Sequence, residues 1–247
     1  MGVDIYVFDI LLDYKGIDLG DVLCLGRQEL YVHTLPEGWR QASAILAHRF
    51  PEAKPEELVQ SDGFAETFLR FLGARSVLSL DFSSFEGAEL IHDLNEPISF
   101  ELHDRLDFIL DGGTLEHIYN IPMAIENIKL MLRQGGMYLS INGANNQLGH
   151  GLYQFSPELF WRAFGNDTGF VIESMALVPM ELLNILPTRI PLEDPQGVRQ
   201  EVGMTTEPTC LMVAARRRGT RTKMRNFYQG DFMAQWDAHA AASGGKV

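Results

Sequence analysis

Ser76-Val77-Leu78-Ser79-Leu80-Asp81, Leu90-Ile91-His92-Asp93-Leu94 and Leu106-Asp107-Phe108-Ile109-Leu110-Asp111-Gly112-Gly113-Thr114-Leu115-Glu116-His117-Ile118 follow one another in the middle of the chain. Each opens on a short apolar run and meets a carboxylate. A helical stretch then closes on Leu132-Arg133-Gln134-Gly135-Gly136, and a further strand runs from Met137 to Asn142. Buried strands that end on polar residues and alternate with helices describe a parallel sheet whose working groups stand at its carboxyl edge.

Working outward, Asp21 to Leu25 reads as the first core strand, and Asp4 to Leu12 as a leading strand or hairpin arm. Gly38 to Phe50 reads as a helix with Ile45, Leu46 and Phe50 on its apolar face. Residues 51 to 55, bounded by Pro51 and Pro55, form a breaker. A second helix from about Glu57 ends at Gly73, a residue suited to the left-handed cap. Pro122 to Leu132 begins on proline, as a first turn allows, and Ser156-Pro157-Glu158 has a serine cap before a first-turn proline. Phe170 to Val178 and Thr209 to Ala215 read as two closing strands.

The 247 residues suit one sizeable core, and 46% hydrophobic with 21% charged residues is ordinary for a globular protein. Cys24 and Cys210 make no disulfide framework, so a reduced, cytoplasmic setting is expected. No secretory leader and no membrane span is expected. The net charge of −13 argues against nucleic acid as a partner. Residues 1–215 read as the α/β domain and 216–247 as an extension. Arg216, Arg217, Arg218, Arg221, Lys223 and Arg225 cluster there without an acid, and without them the formal charge would be −19. This is either a solvated strand exit or a dock for an acidic surface. Phe227, Tyr228, Phe232, Met233 and Trp236 are expected to pack back on the domain or across a homodimer interface.

The order of strands, acids and glycines resembles the class I S-adenosylmethionine-dependent methyltransferases of the small-molecule type, over roughly residues 21–217. That resemblance implies a three-layer, Rossmann-like α/β fold with a mostly parallel seven-strand sheet and an antiparallel end. It also implies S-adenosylmethionine as cofactor and a small-molecule acceptor methylated on oxygen or nitrogen. The family's first motif is an acid-ended strand followed by a glycine-rich turn. Here Val22-Leu23-Cys24-Leu25-Gly26-Arg27-Gln28 stands in that place. Gly26 is kept, Cys24 replaces the acid, and Arg27 and Gln28 replace further glycines. Arg27 either pairs with the cofactor's carboxylate or is a surface residue beside a turn.

By the same resemblance Asp81 accepts hydrogen bonds from the ribose hydroxyls and Phe82 offers an apolar wall to the adenine. Asp93 receives the adenine amino group, with a backbone N–H from Leu94. A capping aspartate at position 81 and an Asx turn at position 93 are the alternatives. Asp111 and Gly112 follow the central strand, directly above the point where the methyl donor would sit, Asp111 as a cofactor contact and Gly112 as a substrate contact. Leu115-Glu116-His117-Ile118 matches a family pattern that in many members is structural, and His117 is either such a structural histidine or a substrate contact.

The loop from Asn142 to Phe155 reads as the acceptor loop, with Asn145, Asn146, Tyr153 and Gln154 as polar contacts. His150 is either a general base or a structural histidine. Methyl transfer from a sulfonium needs mainly alignment and exclusion of water, with help from a base where the nucleophile starts protonated. His92, His103, His117 and His150 show no ligand spacing in sequence, so no metal site is expected.

Two other functions compete. One is a catalytically silent binding or scaffold protein of the same fold, which the altered first motif favours. The other is a nicotinamide-dependent oxidoreductase, weakened by the missing Gly-x-Gly-x-x-Gly turn and by the distance from Gly26 to Asp81, well beyond the usual offset of about 20 residues.

Overall fold

A computed structural model describes residues 2–34, 36–180, 188–199, 205–220 and 227–243. Its centre is an eight-stranded sheet of β1 (Gly20–Leu25), β2 (Ala74–Asp81), β3 (Leu90–Ile91), β4 (Leu106–Asp111), β5 (Leu132–Asn145), β6 (Phe170–Pro179), β7 (Ile190–Pro191) and β8 (Thr209–Arg217). The strands lie in the order β3-β2-β1-β4-β5-β8-β6-β7. The first five are mutually parallel, and β8 runs antiparallel to both β5 and β6. Val22 faces Val77 on one side and Phe108 on the other, so β1 is central and parallel to both neighbours, as the sequence requires. The sheet has one strand more than the expected seven. The addition is the two-residue β7 paired to Ala176 and Leu177 at the edge.

Alternation along β1 sends Val22 and Cys24 to one face and Leu23 and Leu25 to the other, and each face has its own apolar layer. On one side lie α1 (Ile5–Leu12), α2 (Pro36–Arg49) and α3 (Glu66–Leu72). On the other lie α4 (Ile121–Met131) and α5 (Pro157–Ala163). This is the expected three-layer α/β arrangement.

Three local expectations need correction. Asp4 to Leu12 is a helix, not a strand. Asp4 caps it by accepting from the backbone N–H groups of Tyr6 and Val7, both at 2.9 Å. A run buried on nearly all sides carries no period, so its β-branched and aromatic residues mislead. The second correction concerns the helix expected from Glu57, which is a short 3₁₀ turn (Pro55–Leu58) followed, after a break, by α3. Asp62 and Gly63 make the break, and Phe64 bridges back to Glu29. Ala65 N–H donates to the Gln28 carbonyl and Leu30 N–H to that of Gly63. Residues 30–63 are thus an excursion closed at its base, and the turn after β1 leads across that closure to α3. Third, the strand expected over Leu90 to Leu94 is confined to Leu90–Ile91.

Of the basic cluster, Arg216 and Arg217 belong to the end of β8 itself; Arg216 and Arg218 pair with Glu173, and Arg217 pairs with Asp104. The described part of the basic cluster is therefore matched within the chain, while Arg221, Lys223 and Arg225 lie outside the described residues. α6 (Gly230–Ser243) is tied down at its start, where Gly230 N–H donates to Glu158 and Asp231 pairs with Arg199. Tyr228, Phe232, Met233 and Trp236 remain exposed. No described helix is long and apolar enough to cross a membrane.

Candidate active site

The carboxyl ends of β1, β2 and β4 open onto a groove of about 310 Å³, lined by Gly26, Leu80, Asp81, Phe82, His92, Asp93, Leu94, Asn95, Thr114, His117 and Ile118. Strand register brings these together: Leu25 lies beside Leu80 on one flank and Asp111 on the other, so the strands end level. Asp81 accepts one bond from Ser83 N–H at 3.1 Å. Asp93 accepts from the backbone and side-chain amides of Asn95 at 2.9 and 2.7 Å, and these bonds hold its carboxyl below the usual range. Phe82 is 74% exposed, an aromatic face with little of its own packing. Leu94 is buried, and its carbonyl takes a bond from Asn127.

The turn after β1 is filled by its own side chains. Gln28 is buried and its Nε2 donates to the carbonyls of Leu25 and Gly26 at 2.9 and 3.2 Å, while its Oε1 has no partner among the described residues. A Cβ at Gly112 would stand 2.3 Å from that Oε1, so Gly112 makes room for the amide. Arg27 points elsewhere: its guanidinium holds Glu66 at 2.6 Å, Asp62 at 2.7 Å and the Glu86 carbonyl at 3.0 Å, and lies 3.7 Å from the Phe64 ring centre. It clasps the base of the 30–63 excursion and does not border the groove.

Asp111 does not border it either. It is fully buried beneath the site, accepting from Tyr138 Oη at 2.7 Å, Asn142 Nδ2 at 2.6 Å and Thr114 N–H at 2.9 Å. Burial pushes its carboxyl above the ordinary range despite those donors. Its role is to tie β4 to β5 and to shape the turn that presents residues 112–117.

Beyond His117 a second concavity of about 700 Å³ opens under α1, lined by Asp4, Tyr6, Tyr31, Gly112, Gly113, Glu116, His117, Asn146, Leu148, His150, Glu207 and Cys210 among others. His117 is common to both spaces. Gly151 allows the loop carrying His150 to lie on Glu116: a Cβ there would meet the Glu116 carbonyl oxygen at 2.8 Å. That carbonyl accepts from both Leu152 N–H and Tyr153 N–H, at 2.7 and 3.1 Å. His150 Nε2 consequently sits 3.6 Å from Glu116 Oε1, and the rings of His117 and His150 lie 5.5 Å apart. Glu116 is 2% exposed and its Oε2 has no partner among the described residues. Burial, then the nearby Asp111 carboxylate, push the Glu116 carboxyl up to about 7. Burial and His150 hold His117 below the usual imidazole value.

Of the loop residues expected to contact an acceptor, His150 and Asn146 line the cavity and the others do not. Asn145 donates to Thr205, Tyr153 Oη to the Tyr119 carbonyl, and Gln154 accepts from Gln147 N–H. Asn146 also donates to the Thr205 and Glu207 carbonyls. These amides staple the loop to the chain leading into β8. Sequence reasoning missed Asp4, Tyr31 and Glu207, which only the fold brings to the cavity. The signal for Glu116 in the sequence is an acid set between an apolar residue and a histidine.

No protein-family model and no curated relative matches the sequence. Solved structures do match, with probability 1.00. One is the N-methyltransferase NodS from Bradyrhizobium japonicum with S-adenosyl-L-homocysteine, at 10% identity over 85% of each chain and a TM-score of 0.45. Another is the 1,6-didemethyltoxoflavin N1-methyltransferase of Burkholderia thailandensis, at 15% identity over 80% of this chain and 71% of that one, with a TM-score of 0.38. A third is the [4+2]-cyclase SpnF, at 11% identity over 87% and 81%, with a TM-score of 0.45. At these scores the likenesses add nothing to the strand order already described, and no residue role is taken from them.

Proposed function

We propose that this protein carries out S-adenosylmethionine-dependent methyl transfer to a small-molecule acceptor. The observation that carries this reading is the meeting, at His117, of a groove that bears the carboxylates of Asp81 and Asp93 and the ring of Phe82 with a separate cavity of about 700 Å³. The nucleoside half of the cofactor suits Asp81, Phe82, Asp93 and Leu94, which offer acceptors, an aromatic face and backbone beside Gly26. Its amino-acid half meets an altered turn, where Arg27 is committed to carboxylates and the Gln28 amide fills the space. When bound, the cofactor supplies an electrophilic methyl group on a sulfonium. The chain's own part is to align the acceptor, exclude water and receive a proton. His150, exposed toward the cavity and close to Glu116, is the group for that last task. Asp4, Glu116 and Glu207 line the cavity, and no arginine or lysine is among its described lining residues, which favours an uncharged or cationic acceptor. Pairing of two chains through the exposed apolar side chains of α6 belongs to the same proposal.

The Gln28 amide at the strand switch point specifically favours the second reading, a silent binding protein of this fold. Calorimetry with millimolar S-adenosylhomocysteine separates the two. Heat and thermal stabilisation are expected, and neither would leave the silent reading. Asp81→Ala should weaken binding roughly tenfold to a hundredfold through lost hydrogen bonds, and unchanged affinity would remove Asp81 from the site.

A further inference from the structure

We propose that Glu116, His117 and His150 form a binding site for a first-row divalent transition-metal ion at the floor of the acceptor cavity. Glu116 and His117 are neighbours on the 3₁₀ turn (Leu115–His117) that follows β4, and His150 comes from the loop after β5. One carboxylate oxygen and one nitrogen from each imidazole lie within 4.8 Å of one another. Ligands each about 2.0–2.2 Å from a shared ion stand roughly 3–3.6 Å from one another, so the donor atoms must draw together on binding, and the two imidazoles that would turn inward are exposed.

Two further observations point to a cation. Glu116 is 98% buried in the complement of its 2% exposure, lines the cavity, and has an oxygen without any hydrogen-bond partner among the described residues, an arrangement that costs free energy unless something occupies it. The backbone also holds the set together, since Leu152 and Tyr153 both donate to the Glu116 carbonyl and Gly151 lets the loop lie on that residue. Asp4 and Glu207, which also line the cavity, add a field that favours positive charge. Two imidazoles and one carboxylate suit zinc, cobalt, iron or manganese, whereas magnesium and calcium prefer oxygen alone. Three protein ligands leave open positions toward the cavity, where an acceptor oxygen or nitrogen completes the shell. Bound there, the ion would lower the pKa of a coordinated hydroxyl, and with the His150 nitrogen engaged as a ligand the proton would pass to solvent in place of that imidazole. This last role rests on the methyl-transfer reading, but the site itself does not.

The test uses the full chain, stripped with EDTA and titrated with Zn²⁺, Co²⁺ and Mn²⁺ by calorimetry, with visible absorption followed for Co²⁺. One equivalent is expected to bind, with ligand-field bands for cobalt. His150→Ala and His117→Ala, both at exposed positions, should each weaken binding by at least about a hundredfold, more than loss of a group that merely supports a ligand. Glu116→Gln should do the same while keeping the side chain's shape. No binding by any of the ions, or unchanged affinity in His150→Ala, would overturn the site. Parallel titration with S-adenosylhomocysteine separates the readings. Cofactor binding without metal binding sinks the metal site alone, and metal binding lost in the variants without cofactor binding supports the site while ending the methyl-transfer reading.

Discussion

Gln28 is the residue on which the cofactor question turns. Its amide lies across the Leu25 and Gly26 carbonyls and over Gly112, so the backbone acceptors at the end of β1 are already engaged. Gln28→Gly should therefore tighten S-adenosylhomocysteine binding roughly tenfold, because each freed carbonyl can regain a bond of about 1 kcal/mol. Weaker binding in that variant, read by calorimetry, would instead make the amide a contact of the cofactor. Asp111 gives a signed pH dependence. Its folded-state carboxyl is raised above the ordinary 3.8 by burial, so the folded chain holds the proton more tightly than the unfolded one. The associated stability is full at low pH and is lost as pH rises from the ordinary carboxylate range through the raised folded value. Asp111→Asn should flatten that decline, and urea midpoints measured across the acid to neutral range will show it. An unchanged slope would assign the dependence to another group.

Among the elements that line the cavity of about 700 Å³ are α1 and the loop after β5. The loop depends on close backbone approach at Gly151. Gly151→Ala places a methyl group 2.8 Å from the Glu116 carbonyl oxygen and 2.9 Å from its Cγ. Relieving that overlap costs about 1–3 kcal/mol, as overpacking does, and lifts His150 away from Glu116. A lowered denaturation midpoint together with weakened metal binding is the expected pair of readings. A midpoint and affinity both equal to wild type would mean that the loop has room which the close contact denies. α1 covers the cavity from the opposite side because Asp4, its cap, and Tyr6 and Val7 in its first turn line that wall.

For the whole molecule, the sheet order places the carboxyl ends of β1, β2, β4 and β5 along one edge, where an open α/β sheet binds its ligands. A ligand that binds only the folded chain must stabilise it. S-adenosylhomocysteine at a hundred times its dissociation constant should contribute about 2.7 kcal/mol, visible as a raised melting temperature. The proposed metal site and the groove proposed for the cofactor lie in different spaces that share His117, so the stabilisation by each ligand can be measured singly and together.

The strands were legible from the chain alone because β1, β2 and β4 are short apolar runs, β2 and β4 closed by an aspartate, and burial on both faces leaves such near-continuous runs. Caps at Ser156 and Gly73 were legible for the same local reason. Asp81, Phe82 and Asp93 could be placed at one edge because strand ends are fixed by the same pattern. α1 was not legible, since a run buried all round carries no helical period and its cap competes with β-branched residues. The excursion of residues 30–63 was hidden because it is closed by a Glu29–Phe64 bridge between residues far apart in sequence. Whether a polar residue near a strand end faces the groove or lies beneath it also depends on tertiary packing. Asp111 turns inward to Tyr138 and Asn142, Arg27 turns away to Glu66 and Asp62, and Glu116 meets His150 only because β4 and β5 lie side by side. Sequence determined the sheet and its working edge through local periodicity, while side-chain partners contributed by distant segments decided which residues at that edge form the site.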